Sequence, residues 1–157
     1  MKNIIYDKAK WHYEASGFPS GLPLENGATH IAFFLHWCIE MGFYSKQMVG
    51  DFSEEIMFVK NGQLDSRDLF IKMDGVLCSD DLNTKGNAFA TAYYSSGRSK
   101  FAKEVGYYPA DVDNFAKENL HGEEYFFMEN SDENYCKMKS IIDSRYSDFL
   151  KMSQRSK

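Results

Sequence analysis

Three of the four histidines and both tryptophans fall within one stretch, KWHYEASGFPSGLPLENGATHIAFFLHW, residues 10–37. That density of titratable and polarisable side chains makes a metal site or an acid–base centre the first chemistry to weigh. His12, His30, His36 and Cys38 all carry ligand-type atoms. Their spacing suits a metal poorly. His30 and His36 lie six residues apart, so on one helix they point to different sides, whereas helical ligand pairs favour a four-residue step. No metal and no cofactor are expected on these grounds. A histidine in the first turn of a buried helix can bond into the preceding loop, and His30 fits that architectural role.

Nucleophilic catalysis is no better served. Cys38 sits on an apolar stripe, which raises a thiol pKa instead of activating it. There is no GxSxG elbow, P-loop or dinucleotide fingerprint. Carboxylate pairs occur at Glu54–Glu55, Asp80–Asp81 and Glu123–Glu124. Adjacent helical residues diverge, so these suit solvated faces better than an acid/base couple. Acidic groups interleaved with tyrosines do suit the docking of a basic protein, because tyrosine adds apolar area at low entropy cost and carboxylates steer the encounter. The residues expected on such a surface are Asp80, Asp81, Tyr107, Tyr108, Asp111, Asp113, Glu123 and Glu124.

The elements that must position these groups are mostly helices. ATHIAFFLHWCIEMG reads as a helix from Ala28 to Met41, capped by Asn26 and stopped by Gly42. Only Thr29, Ala32, His36 and Glu40 make a wet face for it. Further helices are expected from Asp51 or Ser53 to Gly62, from Asp65 or Ser66 to Gly75, and from Asn87 to Tyr94. Two shorter ones follow in SKFAKEVGYY and in PADVDNFAKENLHG, where Pro109 suits a first helical position. Ser131 caps a closing helix whose Tyr135, Met138, Ile142, Tyr146 and Phe149 share one face. YFFME at 125–129 is the best strand candidate. Trp11, His30, Phe34, Trp37, Asn87, Phe89 and Tyr94 are expected to form the architectural core.

A length of 157 residues fits one domain, mainly α and compact, with minor short β elements and looser ends at about 1–6 and 152–157. The aromatic share of 16% excludes a disordered chain and predicts a core of flat, rigid rings. A net charge of −5 and a pI near 5.4 argue against a protein that grips nucleic acid by its phosphates. Three scattered cysteines without a CxxC pair point to reduced thiols in a cytoplasmic protein. The N-terminus lacks the apolar run of a signal peptide, and no stretch suits a membrane span.

Five motifs carry a resemblance: WHYE at 11–14, PSGLPLE at 19–25, THIAFFLHW at 29–37, DLNTKGNAFATAYY at 81–94, and a closing ENY…IIDSRYSDF. Together they resemble an uncharacterised bacterial family, a domain of unknown function found in small cytosolic proteins, over residues 7 to about 151. Between Ser95 and Leu120 this chain is longer than that pattern. The resemblance implies a compact single domain and supplies no catalytic residues. It also implies a kind of function, because small proteins of this sort often serve as immunity proteins. The expected function is therefore to bind and neutralise a cognate bacterial toxin, plausibly a nuclease, by occlusion. The alternative is a small enzyme or ligand-binding module with a pocket around His12, His30 and Trp37.

Overall fold

The apolar run of the sequence folds as a helix (Thr29–Glu40), and ten of its twelve residues are buried. A helix covered on nearly every side must be central, and the other elements wrap around it. The computed structural model describes residues 3–155. In chain order the elements are β1 (Ile5–Lys8), α1 (Ala9–Tyr13), a 3-10 turn (Leu24–Gly27), α2 (Thr29–Glu40), α3 (Lys46–Lys60), α4 (Ser66–Lys72) and β2 (Val76–Cys78). There follow a 3-10 turn (Ser79–Asp81), α5 (Thr84–Tyr93), α6 (Lys100–Glu104), α7 (Tyr108–Asn119), a 3-10 turn (Tyr125–Phe127) and α8 (Asp132–Arg155). The domain is mainly α with minor β structure, as expected, and among the described residues that β structure is a two-stranded antiparallel sheet of β1 and β2. Of the ends expected to be loose, residues 1–2 and 156–157 lie outside the described residues. Residues 5–6 belong to β1 and 152–155 continue α8.

Phe34 is the hub of the core, with rings of Trp37, Phe89, Tyr93, Tyr94 and Tyr108 all centred within 6.4 Å of its own. Phe89 carries the cluster on to Tyr146 and Phe149 of α8. Each such ring contributes about 1.5–3 kcal/mol by leaving water. Close approach of α5 depends on Gly86, where an added Cβ would sit 2.9 Å from the Phe43 carbonyl.

Several boundaries differ from expectation for local reasons. α2 starts at Thr29 because Asn26 lies inside the preceding 3-10 turn, its amide donating to the Phe126 carbonyl at 2.9 Å. Thr29 and Ala32 are buried, since α4 packs over that side and Arg67 donates to the Thr29 hydroxyl at 3.1 Å. α3 begins at Lys46 under a Ser45 cap, and the start signal at Asp51–Ser53 marks a kink at Phe52 instead. Tyr125–Phe127 is a 3-10 turn rather than a strand, with Phe126 buried and no strand paired to it among the described residues. Asp65 caps α4, Pro109 stands in the first turn of α7 and Ser131 accepts from the Asn134 amide, all as expected.

Trp11 is not in the core. It is 53% exposed, with the Lys8 ammonium 5.7 Å from its ring centroid. On so short a helix, Ala9, His12 and Tyr13 share the inward side by their three- and four-residue steps, and Trp11 falls opposite. The other expected core residues fit: His30, Phe34, Trp37, Phe89 and Tyr94 are buried, and half-buried Asn87 ties the Tyr6 hydroxyl to the carbonyls of Ser79 and Leu82. In denaturant titrations Phe34→Ala is expected to cost about 3–5 kcal/mol, whereas Trp11→Ala should stay within about 1 kcal/mol.

Candidate functional site

Asp7 is the polar residue on which most of the fold converges. A regular strand alternates its side chains between faces, but β1 shifts register between Ile5 and Asp7 against β2, and both Tyr6 and Asp7 turn inward. The next amide, Lys8 N–H, donates to Asp7 Oδ1 at 2.8 Å. α1 begins at Ala9, held by its amide on the Gly75 carbonyl at 2.9 Å, and one turn later it brings His12 Nε2 to 2.7 Å from the same oxygen. Gly75 itself lies in the turn between α4 and β2 with φ +68, a left-handed conformation natural to glycine.

On the other carboxylate oxygen, Tyr94 donates at 2.6 Å and His30 Nε2 lies at 3.3 Å. Tyr125 meets His12 Nδ1 at 2.6 Å, and its ring stands edge-on to His30 at 5.0 Å. Tyr108 fixes the His30 backbone by donating to its carbonyl at 2.5 Å. WHYE, THIAFFLHW and DLNTKGNAFATAYY thus each place one side chain on Asp7: His12, His30 and Tyr94.

Burial alone would push the Asp7 carboxyl up. The contacts from His12 and His30 outweigh it and hold the group well below the usual carboxylate range. Burial pushes His30 down, so its ring is neutral at neutral pH, and the contact with Asp7 assigns its proton to Nε2. His30 Nδ1 is buried with no partner among the described residues. Burial and the nearby Asp7 charge hold Tyr94 well above the usual phenol range, as a permanent donor. No Lys or Arg side chain reaches Asp7 among the described residues.

Trp37 stands apart from this centre. It lies two turns further along α2, and its indole donates to Asp143 at 2.8 Å. Helical spacing sets His30 against His36, but the fold sets it against His12, at 4.3 Å between ring centroids. His36 instead stacks on Tyr135 at 3.8 Å and lies 3.2 Å from Glu40.

The eight residues expected on an acidic surface divide into four groups. Tyr108 and Asp111 are inside. Asp111 is held by a two-pronged ion pair with Arg145, both bonds at 2.9 Å, and accepts from Tyr93 at 2.6 Å. These two residues follow the inward stripe of α7 with Val112 and Phe115, a periodicity that outranks the polarity of Asp111. Asp80 and Asp81 sit on the turn after β2. Asp80 is exposed, while half-buried Asp81 accepts from the Cys78 amide at 2.9 Å. Tyr107 is half-buried before α7.

Asp113, Glu123 and Glu124 do come together. After α7 the chain reverses through left-handed His121 and Gly122 (φ 51 and 89), which sets the two glutamates beside Asp113. They line an open groove of about 370 Å³ together with Lys117, Ala116, Tyr125 and Phe126. Tyr125 thus lines the groove while its hydroxyl reaches the Asp7 centre.

Fold and centre together define a mainly α domain in which several elements converge on the buried carboxylate of Asp7. Residues 5–126 match the domain of unknown function DUF7832, and the chain belongs to that family. The match spans β1 to the Tyr125 turn, so it takes in Asp7 and every residue that touches it; α8 and its motif lie beyond. No curated protein and no solved structure matches the chain.

Removing the carboxylate leaves a tyrosine hydroxyl and a histidine N–H buried without an acceptor. Asp7→Ala is therefore expected to lower unfolding free energy by about 3–5 kcal/mol, and Tyr94→Phe by about 1–3 kcal/mol, in urea titrations.

Proposed function

We propose that this protein is a binding module without catalytic activity, and specifically an immunity protein that neutralises a basic toxin domain inside the cell that makes it. The observation that carries the reading is the groove lined by Tyr125 and Phe126 and by Asp113, Glu123 and Glu124, three carboxylates against the one ammonium of Lys117. It combines the two properties a tight protein interface draws on. Its aromatic floor offers apolar area already held rigid by the core, and its carboxylates favour lysine- and arginine-rich surfaces. The net charge of −5 extends that preference over a longer range. A nuclease toxin, basic where it holds phosphates, is the partner that best fits this chemistry, and the bound protein would occlude its active site or an adjacent face. No helix among the described residues is long and apolar enough to cross a membrane, which is compatible with such a partner but does not select it.

One observation favours a second reading. His12 and His30 converge on Asp7, an arrangement suited to ligand or metal binding.

The test is co-expression with the product of the adjacent upstream gene. A stable complex on size exclusion, and protection of cells from that product, are expected. Replacing Asp113, Glu123 and Glu124 with lysine should weaken the complex by about tenfold or more and flatten its salt dependence. A neighbour that is no toxin, together with no protection on expression, ends the immunity reading. Unchanged affinity in the lysine variant moves the interface away from this groove.

A further inference from the structure

We infer that Asp7, His12 and His30 form a binding site for one divalent transition-metal ion, with zinc the best fit. The three donor atoms, one carboxylate oxygen and two ring nitrogens, all lie within 4.8 Å of one another. Ligands sharing a tetrahedral ion at bonds near 2.1 Å stand roughly 3.4 Å apart. His30 Nε2 is already 3.3 Å from Asp7 Oδ2, and His12 Nε2, 2.7 Å from Oδ1, needs to withdraw by about 0.7 Å to reach that spacing. His12 can do so, because it stands on a single-turn helix with its side chain 19% exposed.

Three features go beyond proximity. Both imidazoles turn the same nitrogen, Nε2, toward the carboxylate. The buried carboxylate has no lysine or arginine partner among the described residues, so a cation would supply compensating charge. The ligands also have groups behind them to set their orientation: Tyr125 on His12 Nδ1, and Tyr94 and the Lys8 amide on Asp7. When Nε2 of a neutral ring coordinates, that ring's proton resides on Nδ1. At His12 the Tyr125 oxygen can accept it, and at His30 the Nδ1 position is free of any protein partner among the described residues. Two nitrogens and one oxygen favour zinc over magnesium or calcium, which prefer all-oxygen shells. Three protein ligands also leave a fourth position for water or another small ligand.

The experiment uses the full chain, stripped with a chelator and titrated with zinc chloride by calorimetry. Cobalt(II) is followed in parallel by its visible absorption. One zinc per chain is expected, with the thermal midpoint raised by about 5–10 °C at roughly 100-fold excess over the dissociation constant. His12→Ala, at the most exposed ligand, should weaken binding by at least about 100-fold while His36→Ala binds as the parent does. A tetrahedral cobalt spectrum in the unaltered protein supports the site even if the His12 variant fails to fold. Absence of saturable zinc binding by the parent overturns the site, as does a folded His12→Ala variant that binds equally well, or loss of binding in His36→Ala.

Discussion

A carboxylate taken out of water must recover its solvation from fixed donors, and Asp7 draws them from four parts of the chain. The Lys8 amide comes from the strand end, His12 from α1, His30 from α2 and Tyr94 from the end of α5. Apolar packing around Phe34 supplies the larger share of the folding free energy, but it is non-directional. The carboxylate adds direction, because each donor reaches it only when β1, α1, α2 and α5 all hold their relative positions. The sheet serves this end: pairing with β2 and the register shift within β1 turn Asp7 inward.

The same network links the interior to the surface. Tyr125 touches His12 through its hydroxyl and lines the acidic groove with its ring, so the floor of the groove is braced by the buried centre. A rigid floor loses little entropy when a partner docks. Asp111 does comparable work on the far side of α7, where Arg145 and Tyr93 hold it and leave Asp113 facing out. Two buried aspartates therefore position α7 and the segment that follows, and the exposed acids depend on them for their placement.

Much of the helical framework was legible in the sequence because its signals are local. The apolar stripes around Phe34, the Asp65 and Ser131 caps and Pro109 each act within one or two turns. The sheet was not legible, since Ile5 pairs with Cys78 across most of the N-terminal half and neither run is long enough to announce itself. Tyr125–Glu129 has the composition of a strand but no strand to pair with among the described residues. Asp7 lies in a polar leader and looks like surface; its burial follows from a register shift that no local pattern encodes. Asp111 was more accessible to reasoning, for it shares the three- and four-residue steps of Tyr108 and Phe115. His12 and His30 were noticed, but comparison along a single helix matched His30 with His36. Their actual meeting point is Asp7, which the register shift within β1 turns inward.

Carbon-13 NMR of the Asp7 side-chain carboxyl, followed during acid titration of the chelator-treated protein, tests the central claim most directly. As the pH falls from neutral to about 3, the Asp7 resonance should keep its ionised position while exposed aspartates titrate near their ordinary value of about 3.9. An Asp7 midpoint at or above about 4 would mean that the donors gathered around it do not hold its charge, and would contradict the account.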